Sequence, residues 1–87
     1  MTCWVYVLYS LSKKTLYIGS SDEPDLRLHT HNLGKVCSTK SGIPWVRVWL
    51  EETENRTLAL KRERYLKSGW GRRWLAGKID LGRWQSG

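Results

Sequence analysis

The stretch "WVYVLYSLSKKTLYIG", Trp4 to Gly19, decides the fold. Trp4 to Ser10 is a β-branched and aromatic run, Thr15 to Gly19 is another, and the turn-like Leu11-Ser12-Lys13-Lys14 lies between them. The pattern predicts a β-hairpin. If Ser10 faces Thr15 across the ladder, Tyr6 and Tyr17 become diagonal neighbours on one face, because strand side chains alternate with a period of two. Two phenols then share one wall.

After the hairpin, the sequence from Ser20 to Gly34 predicts a helix. Ser21 or Asp22 can cap it, Pro24 suits its first turn and Gly34 can end it. Arg27 and His31 stand at i, i+4 and share a face, while Leu26 and Leu33 are expected to form the apolar stripe that packs on the sheet. "GKVCSTKSGIP", Gly34 to Pro44, reads as a glycine- and serine-rich basic loop. "WVRVWLEE", Trp45 to Glu52, reads as a third strand, alternating Val46, Val48 and Leu50 against Trp45, Arg47 and Trp49. Asn55 or Thr57 can cap a second helix, "TLALKRERYLK", that stops at Gly69. Leu58, Ala59, Tyr65 and Leu66 form its apolar arc, with Glu63 at the edge. Arg62 falls inside that arc, where only a packed stem with a snorkelling head would fit. "GWGRRWLAGKI" predicts a shorter third helix with Trp70 and Trp74 on one side.

Composition bounds the function. At 87 residues the chain is expected to be one domain of two layers, residues 1–79, with a C-terminal tail over 80–87. Fifteen Lys and Arg against eight acids give +7, which favours a polyanionic partner, nucleic acid ahead of anionic membrane. No window approaches the roughly 18 consecutive apolar residues of a membrane span. The start "MTCWVYVLYS" lacks the basic segment and cleavage site of a signal peptide, so a cytoplasmic location is expected. Cys3 and Cys37 have no metal-ligand spacing and read as reduced thiols. With six tryptophans and no phenylalanine, some indoles are expected half-exposed over basic surface.

Cleaving a phosphodiester takes an activator for the nucleophile, a cation for the charge that builds on phosphorus oxygens, and usually a metal held by carboxylate. Phenols, arginine, histidine and glutamate are all present, on faces that could meet. Yet Tyr6 and Tyr17 read as well as packing residues of a half-buried hairpin, Arg27 as a solvated helix arginine and Glu63 as an ion-pair partner. Residue physics alone reaches a small basic α+β nucleic-acid binder.

The order of motifs reaches further. "VYV" in the first strand, "YIG" with its tyrosine eleven residues on, "RLHTHN" in the next helix and "ALKRE" in a later one together resemble the GIY-YIG nuclease superfamily. The nearest likeness is to its small single-domain bacterial members, related to the N-terminal nuclease domain of the bacterial repair excinuclease. The likeness runs from about Trp4 to Trp74. It implies a three-stranded antiparallel sheet flanked by helices, and metal-dependent endonuclease action on nucleic acid, with DNA expected ahead of RNA and repair or recombination as the setting it suggests. One divalent ion, Mg2+ or Mn2+, is implied. Tyr6 and Tyr17 match the family's two tyrosines, Gly19 the glycine that permits close approach, Arg27 the catalytic arginine and Glu63 the metal-binding glutamate. Tyr17 is the expected general base, with Tyr6 or His31 as orienter or alternative base; His29 is expected to stand aside. Lys35, Ser38, Thr39 and Lys40 are expected to grip flanking phosphates. Trp4 and Val5 depart from the Gly-Ile of the first tripeptide, and Pro24 stands where leucine is commoner; neither removes a functional group. No second domain for targeting is recognisable, which leaves room for a partner protein in that role. The competing reading is a non-catalytic DNA- or RNA-binding module on the same fold.

Overall fold

The structure, a computed structural model, describes residues 2–79; the tail expected over 80–87 lies outside them. Strands β1 (Cys3–Ser10) and β2 (Leu16–Ser21) are followed by helix α1 (Pro24–Asn32), a single 3-10 segment (Cys37–Gly42), strand β3 (Trp45–Thr53), and helices α2 (Arg56–Lys67) and α3 (Gly69–Lys78). The strands form one antiparallel sheet in the order β2-β1-β3, the α+β architecture that the motifs imply.

The hairpin has the expected register. Ser10 and Thr15 are joined by a backbone hydrogen bond of 2.9 Å, and Tyr6 pairs with Gly19 and Leu8 with Tyr17. Central strand β1 is apolar on both faces, so helices cover both sides, giving three layers where two were expected. Val5, Val7 and Ile18 pack with Ala59 and Leu66 of α2 and Leu75 of α3. Tyr6, Leu8 and Trp45 pack on the other side with Leu28 of α1.

Strand β3 breaks its own alternation. Val7 pairs with Trp49 and Leu8 with Arg47, so Val48 is an extra residue, a β-bulge. The bulge moves Trp49 to the core beneath α2 and α3, whereas Trp45 stays on the opposite face with Tyr6.

Helix α2 is capped by Asn55, whose side chain accepts from Leu58 N at 2.9 Å. Its apolar arc is narrower than expected, since Ala59 and Leu66 are buried but Leu58 and Tyr65 are exposed. Arg62 completes the packing. Its guanidinium donates to both oxygens of Glu51 at 2.8 and 2.9 Å and lies 4.6 Å from the Trp74 ring centre. Burial alone would raise the Glu51 pKa, but the hydrogen bonds from Arg62 and Trp49, with the Arg62 charge, hold it below the usual carboxylate value. Arg62 thus clasps α2 to β3.

Ser68 closes α2 and opens α3, its Oγ accepting from Gly71 N at 3.2 Å. The two helices meet so closely that a Cβ on Gly71 would lie 2.0 Å from the Tyr65 carbonyl oxygen and 2.5 Å from Leu66 Cα. Both neighbours are backbone and cannot turn aside. Gly71→Ala should therefore lower stability by at least about 2 kcal/mol, roughly 10 °C in Tm, by thermal unfolding. An unchanged Tm would mean the helices are not in this contact.

Candidate active site

The hairpin register builds the first wall. Tyr6 and Tyr17 lie on one face, ring centres 6.4 Å apart. Opposite Tyr6 stands Gly19, and a Cβ there would be 2.6 Å from the Tyr6 hydroxyl and 2.7 Å from Cζ. The close approach expected at Gly19 is therefore made by the Tyr6 ring itself.

Helix α1 supplies the second wall, though its start and its packing differ from expectation. Its N-cap is Glu23, without a side-chain cap; Ser21 instead accepts from Glu23 N at 3.0 Å. Gly34, at φ +76°, follows its end as expected. Leu26 and Leu33 are 57% and 54% exposed and do not touch the sheet as a stripe. The helix docks instead through Leu28 and two polar residues. Asn32 holds the backbone of Trp45, accepting from its N–H at 2.7 Å and donating to its carbonyl at 3.0 Å. His31 is fully buried.

The hydrogen bonds of His31 determine its tautomer. Thr39 donates its hydroxyl proton to the Val36 carbonyl at 3.3 Å, so its oxygen accepts from His31 Nδ1 at 2.7 Å. Nε2 is then free to accept from the Tyr6 hydroxyl at 3.2 Å. The result is one directed chain, Tyr6 to His31 to Thr39 to backbone. Burial, reinforced by the Arg27 charge, lowers the His31 pKa and keeps the ring neutral. Burial likewise raises the Tyr6 pKa; Arg27 opposes this by hydrogen bond and charge, while Tyr17 and Glu63 add to it. Tyr6 is a protonated donor with Arg27 beside its oxygen.

Access separates the two phenols. Tyr6 is 2% exposed, whereas Tyr17 is only half-buried, its ring 5.0 Å from His31 and 6.2 Å from Trp45. Tyr17 and the half-buried Arg27 are open to a ligand; Tyr6 and His31 are not.

Glu63 reaches the site from the opposite layer. Ser20, paired with Val5, points to the α2 side and donates to Glu63 Oε1 at 2.8 Å. Lys67, one turn along α2, lies 2.7 Å from Oε2. Through Ser20 the carboxylate is tied to edge strand β2 one residue from Gly19, and its charge adds to the rise of the Tyr6 pKa. Among the described residues no group of three or more His, Cys, Asp or Glu converges. A lone carboxylate still suits Mg2+ or Mn2+, hard ions that keep several waters and take further oxygens from a bound phosphate. The Lys67 pair is half-exposed and a weak competitor for such an ion.

The phosphate-gripping set divides. Lys35, Ser38 and Lys40 are exposed, but Thr39 is buried against His31 and presents nothing to a phosphate. Its role is to orient the histidine, which no spacing in the sequence announces. Ser20 could have been found, since counting the hairpin register places it on the helix side beside Val5. His29 is exposed and stands aside.

Residues 2–74 match the family model described as GIY-YIG catalytic domain. The chain belongs to the GIY-YIG family, a family of nucleases. No curated protein matches it significantly.

The neutral, buried His31 has a consequence for stability. In the unfolded chain an imidazole takes up a proton as pH falls through about 6.5, whereas folded His31 resists to lower pH. The unfolded state binds more protons in that window, so acidification costs stability there. His31→Gln, which lacks this titration, should lose less Tm than the wild type between about pH 7 and pH 5. Equal losses would show that His31 is not held neutral.

Proposed function

We propose that the chain is a metal-dependent endonuclease that hydrolyses nucleic-acid phosphodiester bonds, with DNA the substrate favoured by the family resemblance. One observation supports the reading: Glu63 is tied to β2 beside Gly19, and Arg27, Tyr17 and Glu63 all act on the Tyr6 phenol, which the His31–Thr39 chain backs. A pure phosphate binder gains nothing from an acid beside the bound polyanion, whereas a metal site requires one.

Water attacks phosphorus in line with the leaving oxygen. Tyr17 is the phenol that substrate can reach, and to serve as base it must first be ionised, so that its phenolate oxygen takes the proton from that water. Tyr6 and His31 are positioning residues, because neither touches substrate. Tyr6 donates a hydrogen bond to His31 Nε2, and its oxygen lies under the influence of the Arg27 charge. Arg27 then donates to the non-bridging oxygens as their charge grows, a contact preorganised by the phenol beneath it. Glu63, steadied by Ser20, would hold the metal. When bound, a divalent ion supplies Lewis-acid stabilisation of the phosphate and of the departing oxygen. Lys35, Ser38 and Lys40 are exposed and suited to flanking phosphates. Free thiols at Cys3 and Cys37 suit a reducing, cytoplasmic setting, and repair or recombination is the role the family resemblance suggests.

Glu63→Gln should abolish Mg2+-dependent cleavage of DNA while leaving binding in EDTA intact, since removing a negative charge cannot weaken non-specific attraction. Undiminished cleavage by that variant would overturn the metal-ligand role. Arg27→Ala should slow single-turnover cleavage at saturating protein by about 10²- to 10³-fold, with Arg27→Lys recovering part of the rate. A loss below about threefold in Arg27→Ala would remove Arg27 from the chemistry.

A further inference from the structure

The chain's charge is concentrated in one place. Residues 56–78, which span α2 and α3, hold eight of the fifteen Lys and Arg and a single acid, Glu63. Eight cations against one acid give +7, and the remaining seven cations are offset by seven acids. The whole formal excess therefore sits on the helix pair that carries Glu63. Arg62 is committed to Glu51, but Arg56, Lys61, Arg64, Lys67, Arg72 and Arg73 are all exposed.

Of the aromatic side chains exposed in this field, Tyr65 and Trp70, Trp70 is much the more open. Trp70, at the start of α3, is 73% exposed, whereas a tryptophan is ordinarily mostly buried. Trp74, one turn on, shows the contrast, packing edge-on against Trp49 at 5.3 Å beneath Arg62. The guanidinium of Arg73 lies 5.5 Å from the Trp70 ring centre, and with Gly69 the two line an open depression. Among the described residues, a Cβ on Gly69 would meet nothing within 4 Å, so the depression has open room beside that glycine. A second depression, lined by Leu60, Glu63, Arg64 and Lys67, lies on α2, which α3 continues through Ser68. Arg72 Nε donates to the Lys67 carbonyl at 3.3 Å and ties the two helices together.

We propose that Trp70, flanked by Arg73 on the basic α2–α3 face, is a stacking platform for an unpaired base, which makes single-stranded or flapped nucleic acid the substrate class of the Gly19 site. The proposal rests on the nucleic-acid reading above. Positive charge alone grips phosphates of any strand, but an indole face finds a partner only where a base has lost its neighbour. Inside an intact duplex both faces of every base are already covered. Trp70 therefore adds affinity selectively for unpaired segments, on the helix pair that also carries Glu63.

The test is fluorescence anisotropy of labelled oligothymidine in EDTA, with competition by a long linear duplex compared per phosphate. Trp70→Ala should weaken oligothymidine binding by roughly 5- to 100-fold. Duplex competition should change by less than about twofold, because its phosphate contacts persist. Trp70→Phe, which keeps an aromatic face, should retain most of the oligothymidine affinity. Equal losses on both nucleic acids, no loss on either, or failure of the phenylalanine variant to rescue would overturn the platform. Displacement of oligothymidine by polyglutamate at matched charge would overturn it too, in favour of an acidic protein partner. A wild-type chain that binds neither nucleic acid defeats the nucleic-acid reading itself, and with it the platform. One that binds oligothymidine through Trp70 but never cleaves defeats only the nuclease reading.

Discussion

The Tyr6 ring lies across the bare backbone of Gly19, and the rest of the site depends on that contact. The register of the hairpin brings the two residues opposite each other, and the missing Cβ leaves the space that the phenol occupies. From that position the hydroxyl meets His31, whose other nitrogen meets Thr39. A side chain at residue 19 would push the phenol away and leave buried donors and acceptors without partners, each loss costing about 1–3 kcal/mol. Geometry and stability are therefore set by the same few atoms.

The site also draws on both layers of helix. Tyr6, Tyr17, Arg27 and His31 gather on one side of the sheet, while Glu63 and Ser20 belong to the other. A sheet normally separates its two faces, but β2 is an edge strand, and around its free side groups from either layer can share a ligand. Arg27 and Glu63, of opposite charge, both act on the neutral Tyr6 phenol, in opposite senses. A phosphate entering at this edge would meet a guanidinium from one layer and a carboxylate from the other.

Much of this was legible in the sequence wherever one local rule sufficed. Strand alternation placed Tyr6 beside Tyr17, i, i+4 spacing placed Arg27 with His31, and Asn55 capped α2 as its residue type suggests. The rest depended on contacts between distant elements. Leu26 and Leu33 marked the wrong face of α1 because that helix is held by Asn32 and His31, polar residues that a hydrophobic stripe does not count. The bulge at Val48 reversed half of β3 without any glycine or proline to announce it. Arg62 sits in the apolar arc of α2 because Glu51, on strand β3, supplies its partner. Thr39 looked like loop surface because its partner His31 is eight residues away on a different element.

Ser68 joins α2 to α3 without a spare residue, closing one helix and capping the next. Each added residue turns a helix by about 100°. A single insertion at this joint would swing Trp74 and Leu75 off the core and carry Gly71 away from the one place where its lack of a side chain is needed. Any lengthening of the chain by evolution or by engineering must therefore enter away from this joint.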